Sequence, residues 1–126
     1  MEEEIKKALE VRKNGYHKTY KVGALLKMKS GKEYIGCNIN NQDLQSICAE
    51  RVAFSKAISE GERDFDHIVI VGGEINSEVL DKCVPCGYCR QFMSEFVSKD
   101  FKIIVYYDNK IETYTIEQLL PEAFEF

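Results

Sequence analysis

Two short clusters in the 126-residue sequence combine residue types that do chemistry. The first is Cys48-Ala49-Glu50, and the second is Pro85-Cys86-Gly87-Tyr88-Cys89. The separation of Cys86 from Cys89 sets both sulfurs on one side of a helical turn. Thiolates in that arrangement suit tetrahedral zinc, whose Zn–S bonds are about 2.3 Å. Three of them, from Cys48, Cys86 and Cys89, would leave the fourth position open, and water there is acidified toward a hydroxide nucleophile. Glu50 follows Cys48 closely enough to reach the same cavity, and its carboxylate can accept and return that water's proton. A structural zinc has no need of such a group. Three thiolates outweigh the charge of a dication, so a positive neighbour is expected to compensate. Arg51 is the candidate, donating hydrogen bonds to thiolate sulfur.

Both clusters open predicted helices, where unpaired N–H groups and the positive dipole end favour anions. The helix from Cys48 to Glu60 carries an apolar stripe of Val52, Ala53, Ala57 and Ile58, and Gly61 is placed to stop it in the left-handed conformation. Pro85 introduces the other helix, on which Phe92, Met93, Phe96 and Val97 share a face. An earlier helix spans residues 2–13, with Ile5, Ala8 and Leu9 at helical spacing. Strand-like runs cover 20–28 and 32–39 around Ser30-Gly31, which reads as a hairpin, and a polar loop follows from Asn40 to Gln45. The run His67 to Val71 is a buried strand, and 102–107 and 111–115 form strands around Asp108-Asn109 before a short helix near 116–120. The order α-β-β-α-β-α-β-β, with a final small helix, implies an α/β fold of three layers, with helices on the faces of a central sheet. Strand order does not follow from this pattern.

The length fits one domain covering residues 1–126. A hydrophobic fraction of 44% and a charged fraction of 30% are ordinary for a globular chain. The net charge of −4 speaks against nucleic acid as a partner, because such proteins gather cations to displace counterions. Lysines recur between Lys6 and Lys32, which reads as a solvated face without an interleaved aromatic series. No run approaches the roughly 18 apolar residues of a membrane span, and the N-terminus lacks a secretory apolar stretch, so a cytoplasmic location is expected. Five cysteines, an odd number without a signal sequence, argue against a disulfide framework.

With these residues in view, the chain resembles the small zinc-dependent cytidine deaminases over nearly its whole length. The two clusters match the zinc deaminase signature of a metal ligand, a non-ligand glutamate and a later P-C-x-x-C. Gly36-Cys37-Asn38, Ser59-Glu60-Gly61 and Leu119-Leu120-Pro121 also look like family stretches. The resemblance implies a five-stranded mixed sheet, a zinc cofactor, and deamination of cytidine or deoxycytidine by hydroxide attack at C4, in pyrimidine salvage. Members with three cysteine ligands are usually homotetramers. Residue by residue, it implies zinc ligation by Cys48, Cys86 and Cys89 and proton transfer by Glu50. Asn38 would hold the ribose 3′-hydroxyl, the Ala49 backbone the base, and Tyr20 would stand where the family sets a phenylalanine against the pyrimidine. Phe124 matches a tail phenylalanine that packs over the active site, often that of a neighbouring subunit. The chain departs from the family at Asn40, where the ribose asparagine is usually paired with a glutamate. Its loop from Gly36 to Cys48 is one residue shorter, and Glu74 to Val84 looks longer and carries Cys83. A deaminase of another cytosine compound, resembling the blasticidin S deaminases, fits these departures.

Other readings of the same residues stay open at the level of sequence. Cys86 and Cys89 could form a redox dithiol at a helix start, which would leave Cys48 and Glu50 without a role. A structural zinc in a binding module is a third class, opposed by Glu50. Cys83 extends the second cluster to C-x-x-C-x-x-C and is a further candidate thiol, whereas Cys37 reads as a packed strand residue. His17 and His67 lie far from both clusters in sequence and read as surface or strand residues.

Overall fold

The computed structural model describes residues 1–41 and 45–126. Among the described residues, four helices and five strands follow the expected order: α1 (Glu2–Arg12), β1 (Tyr20–Met28), β2 (Glu33–Cys37), α2 (Ala49–Ser59), β3 (Phe65–Glu74), α3 (Gly87–Ser94), β4 (Lys102–Tyr107), β5 (Lys110–Thr115) and α4 (Ile116–Leu119). The strands form one mixed sheet in the order β2-β1-β3-β4-β5, in which only β3 and β4 run parallel. The polar loop expected from Asn40 to Gln45 falls in part on residues 42–44, which lie outside the described residues.

Alternation along the central strands builds the layers. Ala24, Leu26 and Met28 of β1, Ile68 and Ile70 of β3, and Ile103 and Val105 of β4 pack on one face with α2 and α3. Leu25, Val69, Val71 and Ile104 point to the other face, where Ile5 and Ala8 of α1 cover them. A period of two thus gives each strand two apolar faces, which requires helices on both sides. The result is the three-layer arrangement expected from the sequence.

Three elements differ from expectation. On α2 the buried stripe is Ala49, Glu50, Ala53, Phe54 and Ala57, with Val52 and Ile58 only half-buried. Phe54 is the pivot: its ring lies 4.9 Å from that of Phe65, 6.3 Å from Phe92 and 6.0 Å from Phe101. Strand β3 runs past Val71 through Gly72 and Gly73, because the chain returns there and leaves no room for side chains: a Cβ on Gly72 would sit 2.6 Å from Cys83 Sγ. Helix α3 ends at Ser94, so Phe96 and Val97 follow it in a turn, with the Phe96 ring still 5.1 Å from that of Phe92.

The stops and turns follow their residues. Gly61 adopts φ +90°, its N–H bonding the Ile58 carbonyl at 3.0 Å while Glu62 N–H reaches Ala57 at 3.0 Å, the double bond of a Schellman cap. Asp108 and Asn109, both with positive φ, make the two-residue turn between β4 and β5.

Gly36 on β2 fixes where α2 begins. A Cβ at this position would lie 2.7 Å from the Ala49 carbonyl oxygen and 2.8 Å from the Ala53 nitrogen, both backbone atoms that cannot swing aside. Gly36→Ala is therefore expected to destabilise the protein by roughly 1–3 kcal/mol, as overpacking does, and to lower its metal occupancy together with its stability. Denaturant unfolding and metal analysis of the variant check this; wild-type values for both would show that β2 does not position α2.

Candidate active site

The two cysteine clusters meet at the starts of α2 and α3. Cys48 is the N-cap of α2 and Cys86 the N-cap of α3, both in extended conformation and neither using its side chain to cap the helix. Cys89 lies within the first turn of α3 and is fully buried. The three Sγ atoms all fall within 4.8 Å of one another, and Cys48 and Cys86 are 3.9 Å apart. Two sulfurs on one tetrahedral zinc, each about 2.3 Å from the metal, would be about 3.8 Å apart. The donor set and its spacing therefore fit zinc.

Electrostatics point the same way. The Cys48 thiol is held down at about 5, first by a hydrogen bond from Cys89 and then by Arg51 and Cys86. Cys89 is pushed up, because its hydrogen bond to Cys48 and its burial both oppose a second thiolate beside the first. Cys48 and Cys89 thus oppose each other's ionisation, and a divalent cation would offset that repulsion. Arg51 Nη2 lies 3.8 Å from Cys48 Sγ and 3.2 Å from the Ser46 carbonyl, and the guanidinium stacks 4.2 Å above the Tyr88 ring. Arg51 Nε is buried without a partner among the described residues.

Glu50 enters this site because α2 buries the face that carries it, one turn before Phe54. It is only 4% exposed. Burial raises its carboxyl to about 7, and the neighbouring Cys48 charge adds to the effect. A carboxyl poised there exchanges protons readily near neutral pH.

Glu50 lines a cleft of about 280 Å³ together with Tyr20, Asn38, Asn40, Cys48 and Ala49, so most of the expected substrate contacts converge. Tyr20 is anchored by its hydroxyl, which donates to Asp81 Oδ2 at 3.0 Å. Asn38 is fixed more tightly than a free ligand group would be. Its Oδ1 accepts from Val22 N–H at 2.9 Å, and its Nδ2 donates to the Tyr20 carbonyl at 3.0 Å and to Asn40 Oδ1 at 2.8 Å. Both amide hydrogens are thereby committed, leaving an Oδ1 lone pair for any ligand. Phe124 does not line the cleft of its own chain. The residue is 66% exposed, and its carbonyl accepts from Gln91 Nε2 at 3.2 Å.

The remaining cysteines separate from the cluster. Cys83 lines the cleft, yet burial pushes its thiol up to about 12, with the Glu50 charge as the next cause. Cys37 is half-buried at the end of β2. His17 is exposed as expected, but it lines the same cleft as Cys48 and Glu50, so its sequence distance from the clusters misleads. The chain folds back there, with Tyr16 N–H bonded to the Asn38 carbonyl and Asn40 N–H to the Tyr16 carbonyl. Arg90 is a further contributor without a separate sequence signal. Its Nε donates to the Pro85 carbonyl at 2.6 Å and its Nη1 to the Leu119 carbonyl at 2.8 Å, clamping the second cluster to α4.

Comparison with known proteins bears on this geometry. Residues 1–106 match the family described as the cytidine and deoxycytidylate deaminase zinc-binding region. A cytidine deaminase of Halalkalibacterium halodurans is 40% identical, covering 95% of this chain and 90% of that protein. A blasticidin-S deaminase of Bacillus cereus is 33% identical, covering 79% of this chain and 74% of that protein. The crystal structure of cytidine deaminase from Burkholderia pseudomallei superimposes with a TM-score of 0.86 at 31% identity, covering 98% of each chain.

Replacing Glu50 by glutamine separates its burial cost from its chemistry. A carboxyl raised to about 7 binds its proton more tightly folded than unfolded, so the wild type loses stability as pH rises from about 4.5 through 7. Glu50→Gln carries no such charge. In chelator-treated protein it is expected to be the more stable form above pH 7, by on the order of 3 kcal/mol, with the gap closing below about pH 4.5. Urea unfolding across pH measures this; a gap independent of pH would contradict it.

Proposed function

Because the chain belongs to the cytidine and deoxycytidylate deaminase family, we propose that it hydrolyses the exocyclic amine of cytidine or deoxycytidine, giving the uracil nucleoside and ammonia. The observation that carries this is the buried Glu50 carboxyl in a small cleft that Cys48 and Cys86 also line, two of the three sulfurs that fit zinc. A redox dithiol would not explain Glu50, and a structural zinc site would not need it.

We assign zinc to Cys48, Cys86 and Cys89, where it would supply Lewis acidity and lower the pKa of a water at its remaining position. Glu50 takes a proton from that water, delivers one to the ring nitrogen N3, and supports transfer to the leaving amine. The C4–O bond forms as N3 gains its proton; the C4–N bond then breaks as Glu50 moves the proton of the new C4 hydroxyl to the amine, so one water is consumed per ammonia released and Glu50 ends in its starting state. Its near-neutral carboxyl supports both directions of transfer. Arg51 steadies the Cys48 thiolate, and its stacking on Tyr88 fixes the guanidinium in place. The Ala49 backbone is assigned to the base, the Tyr20 ring to the pyrimidine face, and Asn38 and Asn40 to the N1 substituent.

Residues 1–126 act as one deaminase domain. The exposed Phe124 and Phe126 rings, 4.8 Å apart at the tail, support a homotetramer in which Phe124 closes a neighbouring chain's cleft. Among the described residues no helix is long and apolar enough to cross a membrane, and we place the enzyme in the cytoplasm, in pyrimidine salvage. A specific observation favours a second substrate reading: Asn40 presents an amide where the family presents a carboxylate, which suits a cytosine compound other than a plain nucleoside.

Ammonia release from cytidine, deoxycytidine, cytosine and blasticidin S tests the reading. Glu50→Ala is expected to lose about 10²–10⁴-fold in turnover while keeping wild-type zinc content, whereas Cys48→Ala loses zinc as well. Full activity in Glu50→Ala would remove Glu50 from the mechanism, and inactivity of zinc-loaded wild type on every compound would remove the function.

A further inference from the structure

A second depression of about 790 Å³ borders the base-binding cleft, and His17 and Asn40 line both. The hydrogen-bonding polarity of this boundary is fixed by backbone groups that have no choice of role. Val22 N–H can only donate, so the Asn38 atom it meets is Oδ1. The amide nitrogen of Asn38 then donates to Asn40 Oδ1, and among the described residues the two Nδ2 hydrogens of Asn40 remain for a ligand. His17 is fixed in the same way. Its Nδ1 accepts from Thr19 N–H at 3.1 Å and Tyr20 N–H at 2.9 Å, so its ring proton is on Nε2, another donor.

Beyond these donors stand Lys18 and Lys21, the charged side chains of the depression. Lys21 Nζ is steered by the Lys13 carbonyl at 3.1 Å, which leaves it further hydrogens to donate. Tyr16 and Asn41 are its neutral polar side chains, and among the described residues no Asp or Glu lines it. Two ammonium groups and two oriented N–H donors, at the edge of a cleft holding a cytosine ring, match an acceptor-rich anion better than a neutral sugar hydroxyl.

We infer that the N1 substituent of the preferred cytosine substrate carries an anionic group, a carboxylate or a phosphate, held by His17, Lys18, Lys21 and Asn40. This rests on the deaminase reading above and narrows its substrate class.

The test is kcat/KM for ammonia release by the zinc-loaded enzyme from cytidine, cytidine 5′-carboxylate, cytidine 5′-monophosphate and cytidine 3′-monophosphate. At least one anionic compound is expected to exceed cytidine by about tenfold or more at low salt, the scale of a few charge-assisted contacts. The compound with the largest advantage identifies carboxylate or phosphate as the group recognised. That advantage should shrink as ionic strength rises, approach parity in Lys18→Ala/Lys21→Ala, and fall in Asn40→Glu. Cytidine equal to or better than all three anionic compounds would overturn the inference, as would an advantage untouched by the lysine substitutions. Calorimetric binding of uridine and its matching anionic forms reads the same preference without turnover. Tighter binding of the anionic forms with no deamination of any compound would sink the deaminase reading and keep the anion site. Turnover of cytidine with no anionic advantage in either measurement would sink the anion site alone.

Discussion

Three sulfurs within 4.8 Å of one another, at the starts of two helices, set the constraint around which this fold is arranged. Cys48 and Cys89 resist ionising together, as their opposite shifts reflect. Helix dipoles and the Arg51 guanidinium offset part of that repulsion, and a bound dication offsets the rest. Metal binding and folding are then coupled, since the metal binds only where the fold has brought the ligands together.

The remainder of the molecule holds the two helix starts in register. Phe54 joins α2 to α3 and to β3 through its aromatic neighbours, so the same buried face that packs the core carries Glu50 inward. Gly36 lets β2 approach the first turn of α2, and Gly72 lets Cys83 press against β3. Arg90 ties the second cluster to the C-terminal segment. Burial that raises the Glu50 carboxyl costs stability when the group ionises, and the proton transfer proposed for Glu50 uses that same position on the pH scale.

Much of this was legible in the sequence, for identifiable reasons. Helices and strands announced themselves through periodicity, and the cysteine spacings announced the metal group, because both signals are local. Strand order was not legible, since it depends on pairings such as that of β1 with β3, whose partners are far apart in the chain. The glycines at 72 and 73 read as the end of a strand, but they mark close backbone and side-chain approach inside one. The stripe read on α2 missed Phe54 because Val52 and Ile58 fit a helical face equally well until the neighbouring layer is known. His17 belongs to the cleft only through the fold-back at Tyr16 and Asn40, which leaves no mark in local composition.

X-ray absorption at the zinc edge of the purified protein tests the central claim most directly, because it counts the atoms bound to the metal. Three sulfur neighbours at about 2.3 Å and one lighter oxygen or nitrogen neighbour are expected. Four sulfurs, with Cys83 closing the coordination sphere, or a metal bound without sulfur, would contradict the account.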